Sequence, residues 1–230
     1  MDVNPKVTKR EVDLKLDILS KETAKAFQTC ANMPIFSHED WYLAGGTALA
    51  LQAGHRKSVD LDFFTKRSKF DEKKVEEILS SQGEWITTSM SKGTLYGEFF
   101  GGKISLISYP FFKPDKPMLV FGNISLLAPP DIAVMKIIAI SQRGRKRDFF
   151  DLFWLSQNTQ PLGDIVLNVD RQYTVRQNLA HILKSLVYFA DAENDPMPRI
   201  NFNASWPSVK KFFIKEVPKI TSKIIGLTPQ

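Results

Sequence analysis

The sequence predicts an α+β protein in which a small mixed sheet, preceded by a helix, gives way to a helical second half. Three observations carry that prediction. Between Trp41 and Leu127 the apolar residues come in short runs of period two, separated by glycine turns, which is the pattern of strands. From Pro129-Pro130 onward they recur instead at helical spacing. Hydrophobic residues make up 43% of the chain and charged residues 24%, the balance of a folded globular protein. At 230 residues the chain has room for a sheet domain over residues 1–127 and a helical domain over residues 128–230 that completes a cleft.

The elements follow in order. Val12, Leu16, Leu19, Ala26 and Phe27 mark one face of an opening amphipathic helix. Trp41 to Ala44 reads as a short strand, and Gly45-Gly46-Thr47 turns it into a helix over Ala48 to Ala53. A strand carrying Val59, Leu61 and Phe63 comes next, then a lysine- and glutamate-rich helix from Phe70 to Ser81. Strands at Trp85–Met90, Leu95–Phe100 and Lys103–Ser108 are joined by turns at Lys92-Gly93 and Gly101-Gly102. Pro110 to Pro117 is a proline-punctuated loop, and Ser125 to Leu127 adds an edge strand. Pro129-Pro130 opens the first long helix, with a proline pair suited to a first turn. Gly144 breaks that helix, and Phe149, Leu152 and Leu155 define the next. Helices over roughly 174–190 and from Trp206 onward, interrupted at Pro218, complete the chain.

Composition narrows the function classes. Cys30 is the only cysteine, so an internal disulfide and a cysteine-rich zinc site are excluded, and a reducing cytoplasm is the expected location. His38, His55 and His181 form no metal-spaced pair. The charged stretch from Asn4 to Lys15 is unlike a signal peptide. The longest apolar run, Ile132 to Ile140, is too short to span a bilayer and contains Lys136, so no membrane partner is expected. A net charge of +6 favours a polyanionic partner.

The segment from Leu43 to Phe64 carries the chemistry. Asp60 and Asp62 are two apart in an apolar strand, so both carboxylates leave the same face. Like charges held that close repel unless a cation joins them, and two aspartates suit a hard ion such as magnesium. A solvated acidic edge strand is the plainer alternative. Upstream, Gly45 and Gly46 permit close backbone approach, the following helix start offers N–H groups to an anion, and Thr47 either caps that helix or meets a phosphate oxygen. A phosphate cradle beside a magnesium clamp is a site for a nucleoside triphosphate, with Arg56 and Ser58 as further contacts.

A second block, from Pro130 to Leu155, adds to it. Lys136 interrupts an apolar stripe of Ile132, Ala133, Ile137 and Ile140, and either snorkels at the rim or enters a polar site. It lies eight residues before Gly144, and Asp151 seven after. A hairpin closed at the glycine would bring the two level, whereas one straight helix would separate them by roughly 22 Å. Asp148 and Asp151 share a face. An exposed Arg147–Asp151 ion pair is the alternative use of that spacing. Two basic features fit an RNA-binding role: the run Arg143, Arg145, Lys146 and Arg147, and the four-residue-spaced row Lys211, Lys215, Lys219 and Lys223. The row also reads as an ordinary solvated helix face.

The Gly-Gly turn followed by Asp-x-Asp resembles the signature of the DNA polymerase beta-like nucleotidyltransferase superfamily. Within it, GHRKSVDLDFF together with PDIAVMKIIAISQRGRKRDFFDLFWL is most similar to the AbiEii/AbiGii-type toxins of bacterial abortive-infection and toxin–antitoxin systems. The resemblance implies a polymerase beta-like nucleotidyltransferase domain. It implies Asp60, Asp62, Lys136 and Asp151 as catalytic residues, with magnesium on the two strand aspartates. Gly45, Gly46, Thr47, Arg56, Ser58, Lys136, Arg147 and Asp148 become the nucleotide-binding set. It further implies transfer of a nucleoside monophosphate from a nucleoside triphosphate to an acceptor hydroxyl. The 3′ end of a transfer RNA or another RNA is the acceptor it suggests, with a cognate antitoxin as partner. A protein hydroxyl or a small molecule remains open as acceptor. The chain departs from the superfamily on the strand Lys103–Ser108, where serines stand in place of the third carboxylate of a two-metal site. That departure keeps a second hypothesis in view: a nucleotide- or nucleic-acid-binding module without catalysis.

Overall fold

A computed structural model of the chain describes residues 14–37 and 41–226. It divides into two compact units. The first runs to Ala53 and adds Ser58–Pro110 and Pro114–Ala128. The second takes Gly54–Lys57, Phe111–Lys113 and everything from Pro129 onward.

Among the described residues the first unit is a seven-stranded mixed sheet with three α-helices. Its strands are β1 (Trp41–Ala44), β2 (Asp60–Thr65), β3 (Trp85–Ser91), β4 (Thr94–Phe99), β5 (Gly102–Ser108), β6 (Leu119–Phe121) and β7 (Ile124–Leu126), in the order β3-β4-β5-β2-β1-β7-β6. β2 runs antiparallel to β1 and parallel to β5, and β7 runs parallel to β1. One face is packed, with Leu43, Phe63, Leu106 and Leu95 in register across four strands and fully buried. Helix α1 (Lys21–Asn32) packs on β5 and β2 through Ala26, Phe27 and Cys30. Gly102 permits the approach, because a Cβ there would stand 3.0 Å from both Ala26 Cβ and the Thr23 backbone. Helix α2 (Gly45–Ala53) links β1 to β2, and α3 (Glu72–Gln82) is capped by the Asp71 carboxylate, which accepts from Lys74 N–H.

Three sequence expectations change here. The opening helix is broken: Leu16–Ile18 forms a single 3₁₀ turn, and α1 begins only after Ser20, whose hydroxyl caps it by accepting from Thr23 N–H. Val12 and His38 lie outside the described residues. The strand at Ser125–Leu127 is not an edge. As β7 it sits between β1 and β6, and β6 forms the border. Val59 precedes β2 and is exposed, whereas Leu61, Phe63 and Thr65 form that strand's buried face.

The second unit is helical: α4 (Pro129–Arg143), α5 (Lys146–Asn158), α6 (Leu162–Gln172), α7 (Leu179–Ser185), α8 (Ala190–Glu193) and α9 (Trp206–Ile225). Gly144, at φ +52°, closes the α4–α5 hairpin, its N–H bonding the Ile140 carbonyl. α6 was not expected from the sequence, and the helix predicted over 174–190 is instead two short ones, the first capped by Asn178. α9 continues through Pro218 without interruption and starts with a capping box between Ser205 and Ser208. Its core is aromatic: Phe149, Phe150, Phe189, Trp206 and Phe213 meet at ring-centroid distances of 5.3–6.0 Å. No helix among the described residues is long and apolar enough to cross a membrane.

Candidate active site

In the first unit the site is built on the face of the sheet opposite the packed one. Asp60 and Asp62 alternate with buried Leu61 and Phe63, so both carboxylates stand on the same half-exposed face. β1 ends beside Asp62, paired with it at Ala44, and turns at Gly45 with φ +70°. A Cβ on Gly45 would lie 3.1 Å from Asp62 Oδ2, so glycine is needed for both its conformation and its closeness to the carboxylate. The first N–H groups of α2, at Gly45, Gly46 and Thr47, have no acceptor within their own helix. Thr47 is buried, its hydroxyl donating to the Asp60 carbonyl and lying 2.7 Å from the Ser58 hydroxyl. Both hydroxyls therefore fasten the start of β2 to α2.

β5 lies parallel to β2 and sets Ser105 beside Asp62 and Lys103 beside Asp60. Glu98 of β4 is opposite Lys103, two strands from Asp60. Among the described residues no cluster of three or more histidine, cysteine, aspartate or glutamate side chains could hold a metal. Two carboxylates on one face fit a magnesium ion that draws its other ligands from nucleotide phosphate and water. They do not make an all-protein cage.

The second unit brings Lys136, Asp148 and Asp151 together across the α4–α5 hairpin. Lys136 Nζ is 2.6 Å from Asp148 Oδ1 and 2.6 Å from Asp151 Oδ2, and all three side chains are buried. Asp151 also accepts from Arg56 Nε at 2.6 Å and Nη2 at 2.9 Å, and its Oδ1 lies 2.8 Å from His55 Nε2. Arg143, half exposed, donates to Asp148 Oδ2 at 3.0 Å. The Gly54–Lys57 elbow is held by backbone pairing with the segment before α9: Lys57 N–H to Arg199 O at 2.9 Å and Asn201 N–H to His55 O at 2.7 Å.

Charge explains the cluster's protonation. Burial pushes the Asp151 carboxyl up, but Lys136 and Arg56 outweigh it and, with hydrogen bonds from Arg56 and His55, hold it well below the usual carboxylate range. Asp148 is likewise lowered, burial being overcome by Lys136 and Arg143. Burial pushes the His55 imidazole down more than Asp151 raises it, so the ring is neutral at pH 7 and donates its Nε2–H to Asp151. Lys136, Arg56 and Arg143 thus all meet the carboxylates of Asp148 and Asp151.

The pairing of Arg147 with Asp151 is replaced by these buried contacts, and Arg147 is exposed. Lys146 is also unlike its reading as part of an RNA-facing run. It is buried, its Nζ donating to the Glu193 and Asp195 carbonyls at 3.0 and 2.6 Å. Arg145 is paired with Asp195 at 2.8 Å.

Comparison with known proteins decides the family. The model of the nucleotidyltransferase AbiEii toxin family, of type IV toxin–antitoxin systems, matches residues 31–95 and 103–219. The chain belongs to the AbiEii family. An uncharacterized protein of Aquifex aeolicus is 36% identical over 204 residues, covering 86% of this chain and 96% of its own length. Among solved structures, the MenT4 nucleotidyltransferase toxin of Mycobacterium tuberculosis is similar with a TM-score of 0.53 at 17% identity, over 88% of this chain and 86% of that one. A candidate nucleotidyltransferase of H. pylori gives 0.51 at 16% identity, over 92% and 100%. At those identities the likeness is one of fold.

Within this AbiEii member, sequence reasoning missed His55 and Arg143 as parts of the buried cluster. His55 meets its partner across 96 positions, and nothing local marks that distance. A signal existed for Arg143, which ends a helix five residues before an aspartate that the hairpin folds back toward it.

Proposed function

We propose that this protein is a magnesium-dependent nucleotidyltransferase, the toxin of a toxin–antitoxin pair. In this reading it moves a nucleoside monophosphate from a nucleoside triphosphate to an acceptor hydroxyl, with RNA, and the 3′ end of a transfer RNA first, as the acceptor class. The observation that carries the reading is the juxtaposition of Asp62 with the glycine turn. A carboxylate oxygen 3.1 Å from where a Gly45 Cβ would stand brings metal-binding oxygens close to the N–H groups that open α2.

In this scheme Gly45, Gly46 and Thr47 present backbone N–H groups to the triphosphate. Asp60 and Asp62 would hold magnesium, which supplies charge neutralisation at the attacked phosphorus. Lys136, Asp151 and Asp148 are assigned to the same reaction, with Arg56, Ser58 and Arg147. The buried pairs hold Lys136 in place, bonded to both Asp148 and Asp151. Positioning and electrostatics are the main demands of phosphoryl chemistry, so a rigid charge cluster suits it.

The test is incorporation of labelled nucleotide into total RNA, with and without magnesium. Asp60→Ala and Asp62→Ala should each abolish it while leaving the melting temperature close to that of the parent, since both carboxylates are half exposed on their strand. Full transfer by either variant would overturn the assignment. Serine at position 105 is the observation that favours a binding module instead. Triphosphate binding without any transfer under the same conditions would establish that reading.

A further inference from the structure

The aspartate-bearing face of the sheet does not end at β2. In register with Asp62, the row runs through Ser105 on β5 to Tyr96 on β4. Cross-strand partners point to the same face, so Tyr96 stands about 10 Å from Asp62, two strand spacings along the sheet. The residue is 39% exposed. On the same face of β3, diagonal to it and opposite Glu98, is Ile86, 64% exposed. In that row the small side chain of Ser105 stands between the carboxylate and the aromatic ring.

We propose that Tyr96 is a stacking platform for the terminal base of an RNA acceptor. The inference rests on the nucleotidyltransferase reading above and adds to it the site of the second substrate. In-line displacement at phosphorus requires the attacking hydroxyl to approach opposite the leaving pyrophosphate. The anion-binding turn, Gly45-Gly46, lies on the β1 side of Asp62. The hydroxyl must therefore arrive from the β5 side, which is the side of Ser105 and Tyr96. A nucleotide whose terminal hydroxyl is at Asp62 has its base a few ångströms further along the same row. Exposed aromatic rings take unpaired bases by stacking, with little sequence preference, and Lys103 in the adjacent row offers a cation to the chain of phosphates. Ser105 puts a short neutral side chain in the row between Asp62 and Tyr96, where a third carboxylate would add charge.

The test uses the full chain and two substitutions, Tyr96→Ala and Tyr96→Phe. Binding of a short single-stranded RNA ending in 2-aminopurine is read by fluorescence quenching in the absence of triphosphate, and transfer kinetics are measured alongside. Tyr96→Ala should weaken RNA binding and raise the acceptor KM by roughly 5- to 100-fold, the effect of losing one base–aromatic stack. The triphosphate KM should stay within about twofold, and Tyr96→Phe, which keeps the ring, should behave as the parent. Quenching by the parent that survives in Tyr96→Ala overturns the proposal. So does a matching rise in triphosphate KM, which would place the nucleotide's own base on the ring. RNA binding is read without chemistry. A parent that binds RNA through Tyr96 yet transfers nothing therefore refutes the enzymatic reading and leaves the platform standing. A Tyr96→Ala protein normal toward RNA but resistant to its antitoxin would assign the face to a protein and overturn the RNA platform.

Discussion

Replacing Asp151 with asparagine keeps the side chain's size and removes its charge, so it isolates the electrostatic part of the buried cluster. The carboxylate receives Lys136 at 2.6 Å, Arg56 at 2.6 and 2.9 Å and His55 at 2.8 Å. An amide offers one acceptor oxygen where there were two, and its NH₂ group must face a donor. Lys136 and Arg56 lose a shared counter-ion, and Lys136 retains only Asp148. Removing one partner of a buried ion pair costs about 3–5 kcal/mol. With a urea m-value of roughly 3 kcal/mol per M, the unfolding midpoint of Asp151→Asn should fall by roughly 1–1.7 M, as followed by far-ultraviolet circular dichroism. Lys136→Met should also destabilise, because it removes the cation that Asp148 and Asp151 share, leaving Asp148 to Arg143 and Asp151 to Arg56 and His55. The double variant should lose at least about 1 kcal/mol less than the sum, since deleting both members removes the unmatched charge along with the bond. A midpoint shift below about 0.3 M, or strict additivity, would refute the view that these charges are held by one another.

The remaining predictions concern the turn and acid. Gly45→Ala should abolish transfer and destabilise the protein by about 1–2 kcal/mol, because the residue has φ +70° and the new methyl would press on Asp62 Oδ2; a fully active Gly45→Ala enzyme would dissociate that turn from catalysis. Stability should also fall with acid. The folded-state affinities of Asp148, Asp151 and His55 for protons are all depressed, so the unfolded chain binds more protons and each group's contribution is lost as pH drops. The histidine part should fade below about pH 6.5 and the carboxylate part below about pH 4, starting from the unfolded values. His55→Phe should flatten the upper limb of a melting-temperature profile and leave the lower one in place.

Legibility in the sequence followed locality. The Asp-x-Asp strand was readable because its period of two is written within six residues, Asp60–Thr65, and the α4–α5 hairpin because Gly144 separates two apolar helical faces. The 3₁₀ break before α1 was signalled by Ser20, a capping residue that a long apolar stripe overrode. α6 was missed because its buried positions, Leu162, Ile165, Val166 and Val169, are short of the length that makes periodicity decisive. β7 looked like an edge because three residues cannot reveal that both sides are paired. Least legible was the transfer of Gly54–Lys57 and Phe111–Lys113 to the helical unit. It depends on backbone bonds to Arg199, Asn201, Gln172 and Tyr173, none of which has a local pattern.

The bonds that hold the elbow are dense on both sides of Lys57. Arg56 is held by both oxygens of Asp151 and by its own bond to the Lys57 carbonyl, while His55 and Lys57 are pinned through their backbones to the segment before α9. On the far side of Lys57, Ser58 is joined to Thr47, and Thr47 in turn to the Asp60 carbonyl. One exposed residue therefore separates two rigidly bonded ones, immediately ahead of the two carboxylates that must share a cation. Such a strand gains nothing from its own charges, since Asp60 and Asp62 repel until that cation arrives. Its geometry comes from its pairing with β1 and β5 and from the burial of Leu61, Phe63 and Thr65. Buried charge pairs are a poor source of net stability, but a partner removed is severely punished, and this makes them effective at enforcing one conformation. In this chain the ion cluster holds His55 and Arg56 in one arrangement within the helical unit.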